Sequence, residues 1–507
     1  MMQISHSDAS RVRSQRNRLP FALLVLFGFA LVAAQLLAVG HRHIAEAAAR
    51  TPAAPLPQDL ATVAKAYRFE RGGWMYVHLE GAPHDIGYQH GYLLAAEIAD
   101  AFAAVRLNMT HTTQRDWDFF RRAAREMLWP KIDPEYQAEL QGIADALKDK
   151  RVKLDLYDIV AMNAFMELPG YYVPWLNQQT HAVNAPKLSA PENCSAFVAT
   201  GSWTKDHQIV MAHNNWTSYM YGERWRIIFD IVPQQGFHML MDGFPGVIIS
   251  DDDFGVNSGG MMVTETTISG FHGWDPNGKP EFARARKAFQ YAGSIDDFVK
   301  LMNEGNNGGY ANDWLLGDRK TGEIAQFEQG LKKTKLWRTT DGYFVGSNFV
   351  SDPEVLKLDT SFDPDNKATS PNARHIRWEE LMSESKGRID LTLAQVFLSD
   401  HKDSFTGKFG ADVRSLCGHG DAMAEGDPQW DVRPFEPMGA VEGKVINTHL
   451  AETMSFEARI GHPCGINFDA AKFLAAHPEY SWQASVLTDM NSGPWTEFRS
   501  GEHSSAR

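Results

Sequence analysis

Hydrophobic positions along this chain run first without a break, then at helical spacing, and then in alternation. From Leu19 to about Gly40 nearly every position is apolar. Trp74-Met75-Tyr76-Val77-His78-Leu79 alternates as a strand does, and Gly81-Ala82-Pro83-His84 breaks it. From Asp85 to about Met109 apolar residues return at helical spacing, which predicts a helix. The helical pattern continues over 116–165, with breaks near Pro130 and Pro134. Residues 170–193 carry Gly170, Pro174, Pro186 and Pro191 with little periodicity. They predict a loop open to processing.

From residue 194 the pattern turns to β. Strands are predicted at 194–200, 208–213, 226–232, 237–241, 246–249 and 260–268, followed by helices at 282–292 and 295–303. Alternation returns over Asn312 to Asp318, Ile324 to Glu328 and Tyr343 to Val350, and helices are predicted at 372–385 and 391–398. There is no internal repeat. Strands, then helices, then strands again predict stacked sheets covered by helices, an α+β layer architecture.

The chain has 507 residues, 43% of them hydrophobic and 22% charged, an ordinary globular balance. A net charge of -14 argues against nucleic acid as a partner. Arg11, Arg13, Arg16 and Arg18 precede the apolar run at Leu19. Basic residues ahead of about 20 apolar ones read as a signal peptide or a signal anchor. Residues 1–44 are therefore expected to direct export and allow membrane association, with 45–62 as a linker. The body divides into a largely helical fragment, 63–193, and a core, 194–507, that begins at Cys194.

Cys194, Cys417 and Cys464 are the only cysteines. Cys417 and Cys464 could pair in an oxidising compartment, which leaves Cys194 outside any bridge. No two cysteines stand at close ligand spacing and no His-Glu-x-x-His occurs, so neither a metal nor an organic cofactor is expected. Cys194 follows Asn193 and opens an apolar strand. Cleavage of the Asn193–Cys194 bond would give this residue both a thiol and an α-amine. Their unperturbed pKa values, about 8.5 and about 7.7–8.0, lie near working pH, so one residue would supply nucleophile and general base.

Other residues could serve such a nucleophile. Ala212-His213-Asn214-Asn215-Trp216 closes the strand that pairs back on the Cys194 strand, so His213, Asn214 and Asn215 could orient the amine. Glu265, Thr266 and Thr267 end a glycine-led strand, where Glu265 and Thr266 could line a substrate. Asn348, in Gly346-Ser347-Asn348-Phe349, could donate its amide to an oxyanion. Asp251-Asp252-Asp253 lacks calcium-loop spacing, and no Gly-x-Ser-x-Gly elbow or phosphate loop occurs.

The run from Asn193-Cys194-Ser195 through His213-Asn214-Asn215-Trp216 resembles the phospholipase B-like proteins. So do Phe244-Pro245-Gly246, Ser250-x-Asp252-Asp253-Phe254, Asn257-Ser258-Gly259 to Ile268, Arg284-Ala285-Arg286 and Asn312-Asp313-Trp314. A related resemblance is to the isopenicillin N acyltransferase family. It rests on Gly87-Tyr88-Gln89-His90-Gly91, Gly346-Ser347-Asn348, Leu398-Ser399-Asp400-His401 and Leu416-Cys417-Gly418-His419. Together these motifs cover about residues 74–465.

Both families are N-terminal-nucleophile hydrolases, so the resemblance implies a four-layer αββα sandwich and autocatalytic cleavage before Cys194. It places the oxyanion asparagine at Asn348 and an arginine near the thiol at Arg374. Bile-salt-hydrolase relatives carry an arginine and an aspartate shortly before the tryptophan that aligns with Trp216. This chain has Ala212 and Asn215 near those places. The expected function is an exported acyl hydrolase that cleaves an ester or amide bond of a small acyl substrate, a phospholipid or an N-acyl compound. An N-acyl amidase or acyltransferase, and a non-catalytic lipid- or ligand-binding protein on the same scaffold, remain open.

Overall fold

The computed structural model describes residues 58–181, 194–251 and 254–503. The apolar run at Leu19, Asn193, Asp252 and Asp253 lie outside the described residues. No helix among the described residues is long and apolar enough to cross a membrane.

The strands are β1 (Tyr67–Arg71), β2 (Trp74–Gly81), β3 (Ser195–Thr200), β4 (Val210–Ser218), β5 (Ile227–Pro233), β6 (Met239–Gly243), β7 (Gly255–Asn257) and β8 (Met261–Thr267). They continue as β9 (Asn312–Asp318), β10 (Glu323–Gln329), β11 (Thr334–Thr339), β12 (Gly342–Gly346), β13 (Met438–Asn447), β14 (Ser455–Ile460) and β15 (Thr496–Arg499). One sheet has the order β1-β2-β5-β6-β7-β8-β9-β10-β11, the other β12-β3-β4-β13-β14-β15. Every pairing is antiparallel except β2 with β5.

Alternation along the strands assigns their faces. Ala196 and Val198 of β3 meet Trp74, Tyr76, Ile228 and Leu240 of the larger sheet in one apolar cluster between the sheets. Phe197 and Ala199 turn the other way, onto Trp378, Leu381 and Phe397. Those residues belong to α8 (Ser370–Ser385) and α9 (Leu391–Leu398), labelled here after α1 (Pro83–Leu93), α2 (Ala95–Thr113), α3 (Pro134–Asp149), α4 (Leu156–Asn163), α5 (Val173–Gln179), α6 (Glu281–Tyr291) and α7 (Ile295–Asn303). Helices α1 to α4, α6 and α7 cover the outer face of the larger sheet around Val77, Ile231, Met241 and Val263. The fold is thus mixed α and β, two facing sheets with helices outside both. Although the segment before Cys194 is largely helical, its strands β1 and β2 are part of the larger sheet.

Three sequence expectations differ. Residues 246–249 are not a strand but a buried turn, with Gly246 at φ 86. Its backbone is satisfied by distant side chains: Asn163 donates to Gly246 O and accepts from Ile248 N, both at 2.9 Å. His90 Nε2 accepts from Gly246 N at 2.9 Å, and burial pushes that imidazole down to about 3. The predicted loop at 170–179 includes α5, whose Pro174 sits in the first turn, where no N–H is required. Strands β13 to β15 were not visible as apolar alternation.

Helices α1 and α3 cross in backbone contact. A Cβ at Gly87 would stand 1.8 Å from the Glu139 carbonyl oxygen, and one at Gly142 2.2 Å from that of His84. Gly87→Ala is expected to destabilise the protein by about 3 kcal/mol or more, because backbone cannot yield as a side chain does. Thermal unfolding checks this, and an unchanged Tm would contradict it.

Asp313 and Glu328 are register partners on β9 and β10, and both are buried. Burial pushes Glu328 from its usual 4.5 up to about 7, against the pull of the Ser351 and Asp352 N–H groups. A carboxyl raised on folding binds more protons in the native state, so stability falls as pH climbs from 4.5 towards 7. Glu328→Gln is expected to gain Tm relative to wild type across that window. A constant difference between the two would contradict the assignment.

Candidate active site

Cys194 stands immediately ahead of β3, which lies between β4 and β12. The ladders pair Ser195 with Asn214 and Ala196 with Gly346. One step further in the same registers sets Cys194 between Asn215 and the Ser347-Asn348 turn. Alternation sorts β4 as well: Met211, His213 and Asn215 share one face, Ala212, Asn214 and Trp216 the other. Asn214 Nδ2 donates to Leu398 O at 2.8 Å and to Leu416 O at 2.9 Å. Both of its amide hydrogens are spent beneath α9. Asn214 thus anchors these loops and has no amide hydrogen left for an oxyanion.

Cys194 Sγ, a ring nitrogen of His213 and a carboxylate oxygen of Glu265 lie within 4.8 Å of one another, and all three residues are buried. Tyr310 Oη donates to Glu265 Oε1 at 3.0 Å. A thiol, an imidazole and a carboxylate at this spacing can exchange a proton and hold an ammonium group among them.

Arg374, on α8, approaches Cys194 through its backbone. Its Nη1 donates to Cys194 O at 2.7 Å and to Ser195 Oγ at 2.8 Å. Its Nη2 donates to Asn348 Oδ1 at 2.7 Å, and its Nε to Ser370 Oγ at 2.9 Å. The guanidinium lies 4.4 Å from the Trp216 ring centroid and 5.0 Å from that of Trp430. Burial pushes Arg374 down to about 9 while Cys194 and Asp427 draw it back up, so it stays charged at neutral pH.

Asn348 has φ 64, a left-handed conformation that asparagine tolerates better than most residues. Its Nδ2 donates to Thr267 O at 2.8 Å, which commits one amide hydrogen and leaves the second for another acceptor. Thr266 backs this turn, since a Cβ on Gly346 would stand 2.6 Å from its Cγ2 and Oγ1.

Asn215 belongs to a charged network between the sheets. Its Nδ2 donates to Glu442 Oε1 at 3.1 Å. Lys444 Nζ donates to Glu442 at 2.9 Å and to Asp242 at 2.5 Å, and Ser250 Oγ donates to Asp242. These side chains are fully buried. Sequence reading missed Ser195, Lys444, Glu442 and Asp242. The available signal was the pair Glu442 and Lys444, two charges spaced by one residue within an otherwise apolar β13.

Beside Trp430 opens a cleft of about 520 Å³. Tyr171, Trp175, Phe271 and Phe362 give it an apolar lining, and Thr267 and Ser269 are among its polar lining residues. Thr267 and Trp430 are also the groups that meet Asn348 and Arg374, so the cleft borders the Cys194 cluster.

Cys417 and Cys464, the two cysteines that could pair, come together as unbridged thiols. Each sulfur instead faces His419 Nε2, Cys417 at 3.7 Å and Cys464 at 3.5 Å. Spacing along the sequence did not reveal this grouping because the fold, not a local motif, assembles it.

The sequence model of the phospholipase B family matches residues 95–339, which contain Cys194, His213 and Glu265. A Caenorhabditis elegans protein provisionally named phospholipase B-like 1 is 24% identical over 340 residues, 60% of this chain and 57% of that protein. Another from the same organism, provisionally named phospholipase B-like 3, is 28% identical over 236 residues, 43% of this chain and 39% of its own. An uncharacterised protein of Archaeoglobus fulgidus is 23% identical over 274 residues, 50% of this chain and 43% of that one. The chain thus spans about half the length of these curated relatives. The family match, the named relatives and the motifs around Cys194 agree: over residues 95–339 the chain is of the phospholipase B-like kind.

Proposed function

We propose that this chain is an exported, self-processing acyl hydrolase of the N-terminal-nucleophile type, with Cys194 as nucleophile. The observation that carries the reading is the buried convergence of Cys194, His213 and Glu265 at the head of an interior strand. The helix–sheet–sheet–helix layering is compatible with the αββα sandwich of that class.

In maturation the Cys194 thiol attacks the carbonyl carbon of Asn193. The peptide bond breaks as the acyl group moves to sulfur, and water resolves the thioester. This releases a carboxylate on Asn193 and the α-amine of Cys194. In turnover the amine accepts the thiol proton while sulfur attacks a substrate acyl carbonyl. His213 and Glu265 orient the resulting ammonium. The second Nδ2 hydrogen of Asn348 donates to the oxyanion. The ammonium protonates the departing alcohol or amine, and water then hydrolyses the acyl-enzyme. Arg374 acts as a positioning residue by fixing the Cys194 carbonyl, and its charge favours the thiolate.

The aromatic residues lining the cleft suit an acyl chain, and its polar lining residues suit a head group. The substrate is accordingly an acyl ester or amide of a lipid or N-acyl compound. The test is release of free fatty acid from phospholipid vesicles and from N-acyl amines by the processed protein. Release that is absent in Cys194→Ala supports the reading. Equal release by that variant, or none from either class by processed wild type, rejects it.

A further inference from the structure

A second cluster of soft ligands lies apart from the Cys194 site. One ligand atom each from His401, Cys417, His419 and Cys464 falls within 4.8 Å of all the others. Two segments supply them: Cys464 stands in the turn after β14, and His401, Cys417 and His419 lie in the segment 399–437 that follows α9. That segment holds only two short 3₁₀ turns, Gly420–Ala422 and Pro428–Trp430. So long an irregular stretch inside a packed domain calls for a fastening.

The distances fit a tetrahedral ion. Zinc–sulfur bonds of about 2.3 Å and zinc–nitrogen bonds of about 2.0–2.1 Å, at tetrahedral angles, set the sulfur–nitrogen edge at about 3.6 Å. The two edges seen are 3.5 and 3.7 Å. The His401 Nε2 atom is out of solvent and makes no hydrogen bond of proper geometry among the described residues. His419 Nδ1 faces Asp421 Oδ1 at 3.9 Å, and Tyr219 Oη donates to that oxygen at 2.7 Å. A carboxylate behind a ligating histidine is the usual outer support of such a site. A disulfide between the two cysteines would remove both thiolates as ligands facing these imidazoles.

We propose that His401, Cys417, His419 and Cys464 form a closed, four-coordinate structural site for a zinc-class cation. All four positions are filled by protein, so the ion fastens rather than catalyses. It pins the 399–437 segment to the turn after β14. Its effect reaches the Cys194 site through packing. A Cβ on Gly418 would stand 2.0 Å from the Trp216 ring, and that ring carries the Arg374 guanidinium.

The test uses full-length protein purified without chelator, with metal content measured by inductively coupled plasma mass spectrometry. About one zinc per chain is expected in wild type and in Cys194→Ala, and almost none in the Cys417→Ser/Cys464→Ser double variant. Because that variant could misfold, wild-type protein is also stripped and refilled with cobalt. Thiolate-to-cobalt charge-transfer bands and intense tetrahedral d–d bands are expected, with recovery of the Tm lost on stripping. Stoichiometric copper or iron on the same ligands would overturn the zinc assignment. Metal-free wild type with a Cys417–Cys464 disulfide in non-reducing peptide maps would overturn the site.

Discussion

Cys194→Ala is expected to abolish acyl hydrolysis and to leave the chain uncut before residue 194. In the proposed mechanism the two losses have one cause: the same sulfur opens the preceding peptide bond and later attacks the substrate. Removing a catalytic nucleophile costs about 10⁴-fold or more in rate. The fold should survive. Cys194 is fully buried, but alanine removes only the sulfur, and β3 keeps its ladder to β4 and β12. The Arg374 bond is to the Cys194 carbonyl, which the variant retains. Cys194→Ser keeps a nucleophilic oxygen in place, so slow cleavage with strongly reduced hydrolysis is expected. Mass spectrometry and fatty-acid release, measured on the same preparations, separate the two effects. Full activity in the alanine variant would remove Cys194 from the chemistry.

Arg374→Met carries the second largest expected effect. The guanidinium satisfies Cys194 O, Ser195 Oγ and Asn348 Oδ1 together, between Trp216 and Trp430. Methionine fills much of the volume but leaves those buried acceptors without their donor. Each buried acceptor left without its donor costs about 1–3 kcal/mol. A fall in Tm and a loss of about 10²-fold or more in turnover are therefore expected, since the Cys194 backbone and Asn348 lose their common support. Arg374→Lys should restore part of the stability through one bond while leaving turnover low, because an ammonium cannot reach three acceptors with the fork of a guanidinium. A Tm loss in Arg374→Met with unaltered turnover per folded molecule would reduce Arg374 to a structural role.

Much of this was legible where local pattern and tertiary demand coincide. The hairpin of β3 and β4 alternates cleanly, so its register was open to inference, and with it the approach of His213 to Cys194. Asn214 shows the limit: it is adjacent in sequence to His213 but faces the opposite side of the same strand. The apolar turn at 246–249 read as a strand because it is buried like one, yet its hydrogen bonds go to Asn163 and His90. Strand β13 escaped notice because Glu442 and Lys444 interrupt its apolar run, and their partner Asp242 lies in the other sheet. In the cluster from His401 to Cys464 only Cys417 and His419 are close in sequence; the folded chain brings the other two to them.

The central claim is that Cys194 becomes the N-terminus of the working protein by self-cleavage. N-terminal sequencing and intact mass of freshly purified wild type, beside Cys194→Ala prepared in the same way, test it most directly. The expected result is two pieces in wild type, the larger beginning at Cys194, and one uncut chain in the variant. A wild-type chain that stays whole, or that is cut elsewhere while still releasing acyl groups, would contradict the account.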